Sequence, residues 1–247
     1  MAFDCSSADR TRSTAMADVT VYGFPISTYV NVVRLVLTEK GVPFAFHDLE
    51  PEMGGPAHLA LHPFNRVPIL QHGDFRIYET TAIALYVDEA FDGTRLQPDD
   101  VQDRARMHRW LSALNAYFYP YMAFHLGHER IIYPGLGIEP DEKVVAAAIP
   151  KVATCLEVME AELEANGDYL VRGRLTLADL FLLPSLTTLS RTPEGQEMLA
   201  AKPRIREWWL RLQGRPSVQA VTAMVTPHIG RPVEHARTWV GGHRPKY

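Results

Sequence analysis

The spacing of hydrophobic and polar positions changes several times along this chain. In DVTVYG, Val19 and Val21 alternate with Thr20 and Tyr22, a period of two that predicts a strand. From Ser27 the period lengthens. Val32, Val33, Val36 and Leu37 form one helical stripe that stops at Gly41, a residue suited to a left-handed C-terminal cap. VPFAFHDL predicts a second strand and PAHLAL a short helix or irregular turn. VPILQHGDFRIYE predicts two strands joined at His72-Gly73-Asp74, and ETTAIALYVDEAF another helix. The predicted order is β-α-β-α-β-β-α, a parallel pair with a crossover helix followed by an antiparallel hairpin.

This order implies an α/β, thioredoxin-like N-terminal domain over residues 17–92. The segment DGTRLQPDD is rich in Gly, Pro and Asp and reads as part of a linker, placed at 93–103. Beyond it no strand pattern occurs up to Val225. Helical spacing covers Gln102 to about Gly127, Glu142 to about Ala165, a stretch from Thr176, and Arg204 to Gln213, which predicts an all-α bundle over 104–227. Residues 1–16 read as a disordered tail, with Met16 a candidate start. Residues 228–247, rich in Gly, Pro, His and Arg, read as a loosely packed C-terminal tail.

Composition narrows the function. The chain has 247 residues, 47% hydrophobic and 22% charged, with a formal net charge of −4. That is a soluble globular composition with no pull toward nucleic acid or an acidic membrane surface. No apolar run approaches the roughly 18 residues of a membrane span. The polar first fifteen residues carry no secretory h-region, so a cytoplasmic location is expected. The two cysteines, Cys5 in the tail and Cys155 in a helical run, share no metal-ligand spacing, and each reads as an isolated thiol. His125, His128 and Glu129 lie at helical spacing, but the expectation there is a solvated helix face and no metal.

Chemistry concentrates at element junctions. Ser27 follows a strand and opens a helix, where backbone N–H groups are unpaired and the helix dipole is positive. It can act as a plain N-cap or hold an anion. No His and Asp partners form a protease-type triad with it. Glu79-Thr80 opens the helix after the hairpin and can cap it or bind a ligand carboxylate. Val67-Pro68, taken alone, reads as an ordinary strand-edge proline. Thr176 and Asp179 form a capping box. Tyr22 lies one step off the strand position nearest the turn, with its side chain on the other face, and reads as core or sheet surface.

The stretches YGFPISTYVNVVRLVL, HPFNRVPIL, FRIYETTAIALYV, LTLADLFLLP and IREWWLRLQGRPSVQAV, in this order from about Asp18 to Val225, resemble the cytosolic glutathione transferases, the serine-type phi and theta-like classes above all. The resemblance implies a homodimeric glutathione S-transferase. In it Ser27 donates a hydrogen bond to the glutathione sulfur, a cis Val67-Pro68 presents the Val67 backbone, and Glu79 and Thr80 bind the γ-glutamyl end. A free thiol titrates near about 8.5, and a positive, hydrogen-bonding site can bring it to about 6–7. Two such units are worth roughly 2.7 kcal/mol of preference for the thiolate. The thiolate would be conjugated to an apolar electrophile, with glutathione-dependent peroxide reduction as a side activity. A noncatalytic binding module on the same fold is the alternative. Disulfide exchange would want Cys at position 27.

Two departures from the family pattern stand out. PEMGGPAH lacks the basic pair that usually contacts the glycyl carboxylate, and Arg66 stands where Gln is common, so Arg66, with His58, is the expected substitute. Thr80 replaces the usual Ser and keeps the hydroxyl. The electrophile site is expected between the domains, with Phe24 and Ile26 on one side and Tyr117, Phe118, Tyr121 and Met122 on the other.

Overall fold

A computed structural model describes residues 18–239, apart from the Trp239 side chain. The expectations for residues 1–16, Cys5 and 240–247 lie outside the described residues. Four strands form one sheet in the order β2-β1-β3-β4. They are β1 (Val19–Gly23), β2 (Ala45–Asp48), β3 (Ile69–His72) and β4 (Phe75–Tyr78). β1 runs parallel to β2, with Val21 opposite Phe46, and antiparallel to β3, with Val21 opposite Leu70. The alternation in β1 does what its period of two requires, since Val19, Val21 and Gly23 are buried and Thr20 and Tyr22 are half-exposed. Tyr22 stacks on His47 of the neighbouring strand at 5.2 Å.

The first three helices are α1 (Thr28–Glu39), α2 (Pro56–Leu61) and α3 (Thr80–Ala90). α1 ends at Gly41, whose φ of +71° suits a residue without a side chain. Val42 N donates to Leu37 O and Gly41 N to Thr38 O, closing the helix with a Schellman pair. Gly23 is required for a different reason. A Cβ there would lie 2.3 Å from Val30 Cγ2, so only glycine lets the end of β1 meet α1 this closely. That contact fixes the turn Phe24-Pro25-Ile26-Ser27 against the helix start.

The rest of the chain is helical. It comprises α4 (Val101–Ala113), α5 (Leu114–Ile132), α6 (Glu142–Asn166), α7 (Leu177–Leu189), α8 (Pro193–Ala200), α9 (Pro203–Gln213) and α10 (Pro216–Val225). The fold is therefore a thioredoxin-like α/β unit joined to a helical unit. One hydrophobic core runs through both, from Val19 and Val36 to Leu180 and Trp208. α4 and α5 are continuous, but α5 is wound as a π-helix around Pro120, and the amide of Tyr133 closes it by donating to His128 O.

Three expectations change here. The C-terminal stretch is not loose where it is described. Val233 and Ala236 are buried against Leu136, Ile26 and Ile132, and Arg237 donates to Leu136 O at 3.2 Å. Apolar residues scattered among Gly, Pro and Arg were enough to anchor it. The face carrying His125 and Glu129 is buried rather than solvated, and Glu129 Oε2 accepts from Asp141 N at 2.7 Å. The capping box exists but does more than cap. Asp179 Oδ2 accepts from Thr176 N at 2.9 Å and from its hydroxyl at 3.2 Å. Oδ1 accepts from Leu170 N at 3.0 Å and from Trp208 Nε1 at 2.9 Å. Burial raises the Asp179 carboxyl above its ordinary range while these four bonds pull it down.

Candidate active site

A cavity of about 440 Å³ opens between the sheet unit and the helical unit. Ser27, Arg66, Val67, Pro68, Glu79 and Thr80, far apart in sequence, all line it. Phe24, Ser27 and Tyr119 also line a small annex of about 70 Å³ that reaches Ile26, Ala123 and Val233. Ser27, Glu79, Thr80, Asn115 and Arg66 give the larger space polar groups among its apolar walls, and Phe24, Ile26, Ala123, Ile132 and Val233 line the annex.

Ser27 is the N-cap of α1, and its Oγ accepts from Val30 N at 3.4 Å. That bond uses an oxygen lone pair and leaves the O–H free to donate outward, so capping and anion binding are compatible. The first turn of α1 contains no acidic residue, and the positive end of the helix dipole is not neutralised by its own side chains. The turn before it is held by Arg34, buried to 3% exposure, which donates to Pro25 O at 3.2 Å and stacks over Phe46 at 3.7 Å. Thr28 lines the annex but not the main cavity.

Val67-Pro68 is a cis peptide bond. Glu79 has φ +74°, one of two non-glycine residues with positive φ among those described. A carboxylate residue in this region typically costs about 1–3 kcal/mol and persists where a site demands it. The side chain of Glu79 makes no capping bond, and α3 again has no acidic residue in its first turn.

His58 is not in the cavity. It is fully buried, accepts from Gly54 N at Nδ1 (3.2 Å), and its Nε2 lies 2.9 Å from Arg66 O. With Nδ1 accepting, Nε2 must carry the proton and donate to that carbonyl. His58 therefore holds the loop that presents Arg66 and Val67 and does not bind a ligand itself. For the glutathione that the sequence resemblance implies, His58→Ala is expected to raise KM several-fold, while the thiolate pKa of the bound tripeptide stays at the wild-type value. Initial rates at varied glutathione and a thiol titration of the complex check this.

The far wall differs from the sequence expectation. Tyr117 and Tyr121 lie in a separate apolar groove beside Trp110 and Cys155, and Phe118 and Met122 are core residues. The π-helical winding of α5 shifts the phase that ordinary 3.6-residue spacing predicts, so Asn115, Tyr119 and Phe124 face the cavity instead. Sequence reading also missed Tyr29 and His62. Tyr29 donates to Asn115 Oδ1 at 2.9 Å and stacks on Tyr119 at 4.3 Å, and Asn115 Nδ2 donates to Thr81 at 3.3 Å. Burial pushes the Tyr119 hydroxyl up to about 12 and that of Tyr29 further, so both stay protonated and can donate hydrogen bonds at neutral pH. His62 stacks on Tyr78 at 4.5 Å, and burial lowers its pKa, leaving a neutral ring beside Arg66. At the annex, the His235 ring packs 4.5 Å from Phe24. The Cys155 thiol is buried and pushed up to about 11, an unreactive core group.

The chain matches the family model for the glutathione S-transferase N-terminal domain over residues 21–95 and that for the C-terminal domain over 94–216. It is 35% identical to glutathione S-transferase 3 of Zea mays over 85% of this chain and 96% of the relative. It is 33% identical to a probable glutathione S-transferase, GSTF2, of Oryza sativa subsp. japonica, over 86% and 99%. Among solved structures, glutathione S-transferase I from maize, in complex with an atrazine glutathione conjugate, superposes with a TM-score of 0.76 at 30% identity, covering 85% of this chain and 98% of that one. With the two-unit fold and these matches along nearly its whole described length, the chain belongs to the cytosolic glutathione S-transferase family and is similar to its plant phi-class members.

Proposed function

We propose that this protein is a glutathione transferase in which Ser27 holds the glutathione thiolate for attack on an apolar electrophile. The observation that carries this reading is the meeting of Ser27, Val67, Glu79 and Thr80 in one cavity, with the start of α1 free of acidic residues and Glu79 standing at the N-cap of α3. Val67 pairs with the tripeptide backbone. Glu79 takes the γ-glutamyl ammonium, and the Thr80 hydroxyl and amide take its carboxylate. Arg66, on the loop fixed by His58, takes the glycyl carboxylate in place of the missing basic pair. The Ser27 O–H donates to sulfur and stabilises the charge left when the thiol proton goes to solvent. The thiolate then forms a bond to an electrophilic carbon lodged by Phe24, Ile26 and Tyr119. In substitution the leaving group departs with its electron pair, and in addition the new carbanion is protonated. The same thiolate can attack a peroxide oxygen, breaking the O–O bond and releasing an alcohol, and a second glutathione then converts the resulting sulfenic acid to glutathione disulfide and water. The relative bound to an atrazine conjugate supports an aromatic or other apolar partner for this site. The family's habit of pairing suggests a homodimer, and a cytoplasmic location agrees with the absence, among the described residues, of a helix long and apolar enough to cross a membrane.

Titration calorimetry tests the binding half. Wild type binds glutathione, and Glu79→Ala weakens it by about 1.5–3 kcal/mol, the usual loss for a charged hydrogen-bonding partner. Tyr22→Phe, on the sheet surface against His47, changes affinity by less than about 0.5 kcal/mol. No binding by wild type ends the transferase reading, and equal losses in the two variants end the assignment of Glu79.

A further inference from the structure

Three polar side chains bridge the sheet unit and the helical unit across the main cavity. Tyr29 is the second residue of α1, just after Ser27 and Thr28, and Thr81 is the second residue of α3, beside Thr80. Asn115, near the start of α5, joins them. Its Oδ1 accepts from the Tyr29 hydroxyl at 2.9 Å, and its Nδ2 donates to the Thr81 hydroxyl oxygen at 3.3 Å. All three residues line the cavity. The two helix starts that border the site are thus tied to one amide of the helical unit. Burial, then Tyr119 and Glu79, raise the Tyr29 hydroxyl and keep this donor protonated. At its other end α1 is tied to the helical unit by Glu39, which accepts from Arg215 and Ser217, and that tie does not border the cavity.

Tyr119 follows Asn115 on α5, stacks on Tyr29 at 4.3 Å, and lines both the main cavity and the annex. A carboxamide fixed at both ends leaves the start of α5 little freedom to slide or turn against α1 and α3. The wall carrying Tyr119 is then held in place relative to Ser27. The glutathione half of the site is built without it, since Ser27, Val67, Glu79 and Thr80 all belong to the sheet unit. Resting on the transferase reading, we propose that Asn115 is a positioning residue that, through Tyr29 and Thr81, sets the electrophile wall of α5 against the glutathione sulfur. Asn115 is exposed and Tyr29 and Thr81 are half-buried, so the bridge adds little to global stability and its loss reads in the reaction instead. A displacement of about 1 Å in a reacting geometry can cost on the order of a hundred-fold in rate.

Steady-state rates on the full chain, with glutathione and 1-chloro-2,4-dinitrobenzene each varied, test this. Asn115→Leu, close in size to the amide but without its polar groups, should lower kcat/KM for the electrophile about ten-fold. The glutathione KM should stay within about two-fold, the thiol pKa of bound glutathione at the wild-type value, and the melting temperature within about 2 °C. Tyr29→Phe keeps the stack on Tyr119, removes only the O–H, and should reproduce part of the loss. The double variant should be no slower than Asn115→Leu alone, because both changes break the same bond. Losses that multiply in the double variant would mean that each side chain acts on the substrates separately, and would overturn the positioning role. So would a glutathione KM that rises in step with that of the electrophile, or Asn115→Leu turning over like wild type. A wild-type protein that binds no glutathione would instead end the transferase reading, and the role of Asn115 with it.

Discussion

Ser27→Ala is expected to cut turnover about ten- to a hundred-fold while glutathione affinity stays within a few-fold. In the proposed complex Ser27 is only one of several groups that hold the tripeptide, but its O–H is the one assigned to the sulfur. Losing roughly 1.4–2.7 kcal/mol of thiolate stabilisation corresponds to that range in rate. The sign of the pH effect follows. Stabilising the thiolate lowers the thiol pKa, so the wild-type rate rises through the lower pKa and levels off near neutrality. In the variant the rise moves to higher pH, and part of the lost rate returns in alkali. The cap bond to Val30 N is long at 3.4 Å, so the structural cost of the change is small, at most the roughly 1 kcal/mol of an ordinary cap. A melt shifted by several degrees, with turnover unchanged, would instead mark Ser27 as a cap alone. Ser27→Cys would exchange the chemistry. A thiol at this positive helix end is acidic, and its thiolate would attack glutathione disulfide, forming a mixed disulfide and releasing one glutathione thiolate.

Asp179→Ala carries the largest expected effect on stability, a loss of about 3 kcal/mol or more. The carboxylate is fully buried and receives four hydrogen bonds that tie the start of α7 to the preceding loop and to α9. Removing it strands the amides of Leu170 and Thr176 and the Trp208 indole N–H, each costing about 1–3 kcal/mol when buried and unsatisfied. Asp179→Asn does not rescue, because each oxygen accepts an N–H and the amide nitrogen cannot. Thr176→Ala removes one bond and should cost about 0.5–2 kcal/mol. Because burial raises the Asp179 pKa in the fold, its ionisation works against stability as pH rises from the unfolded value through the folded one. Chemical denaturation of the three variants, compared with glutathione titration of each, separates this role from the site. Variants of wild-type stability would show that the network is dispensable.

The sheet unit was legible because its signals are local. Alternation in β1, the Gly73-Asp74 turn and the Gly41 stop each follow from a few neighbouring residues, and the structure uses them as read. Ser27 and Glu79 were legible as helix starts with unpaired backbone groups, and Val67 only through the family resemblance; all three line one cavity. The helical wall was not. Its facing residues depend on how α5 is wound, and a π-helix around Pro120 turns Asn115 and Tyr119 inward where regular spacing points to Tyr117 and Tyr121. The role of His58 was hidden for a related reason. A histidine in a short helix reads as a candidate ligand, and only the fold shows both ring nitrogens engaged with backbone at Gly54 and Arg66. The four-bond role of Asp179 could not be read from a capping box because two of its donors, Leu170 and Trp208, come from outside the motif. The packing of Val233 and Ala236 depends on Ile26 and Leu136, distant positions that no local pattern connects.

The thiolate absorbance of bound glutathione, followed against pH in wild type and in Ser27→Ala, tests the central claim most directly. The wild-type midpoint is expected at about 6–7 and that of the variant near the free value of about 8.5. Superimposable curves would contradict the account and reduce Ser27 to the cap of α1.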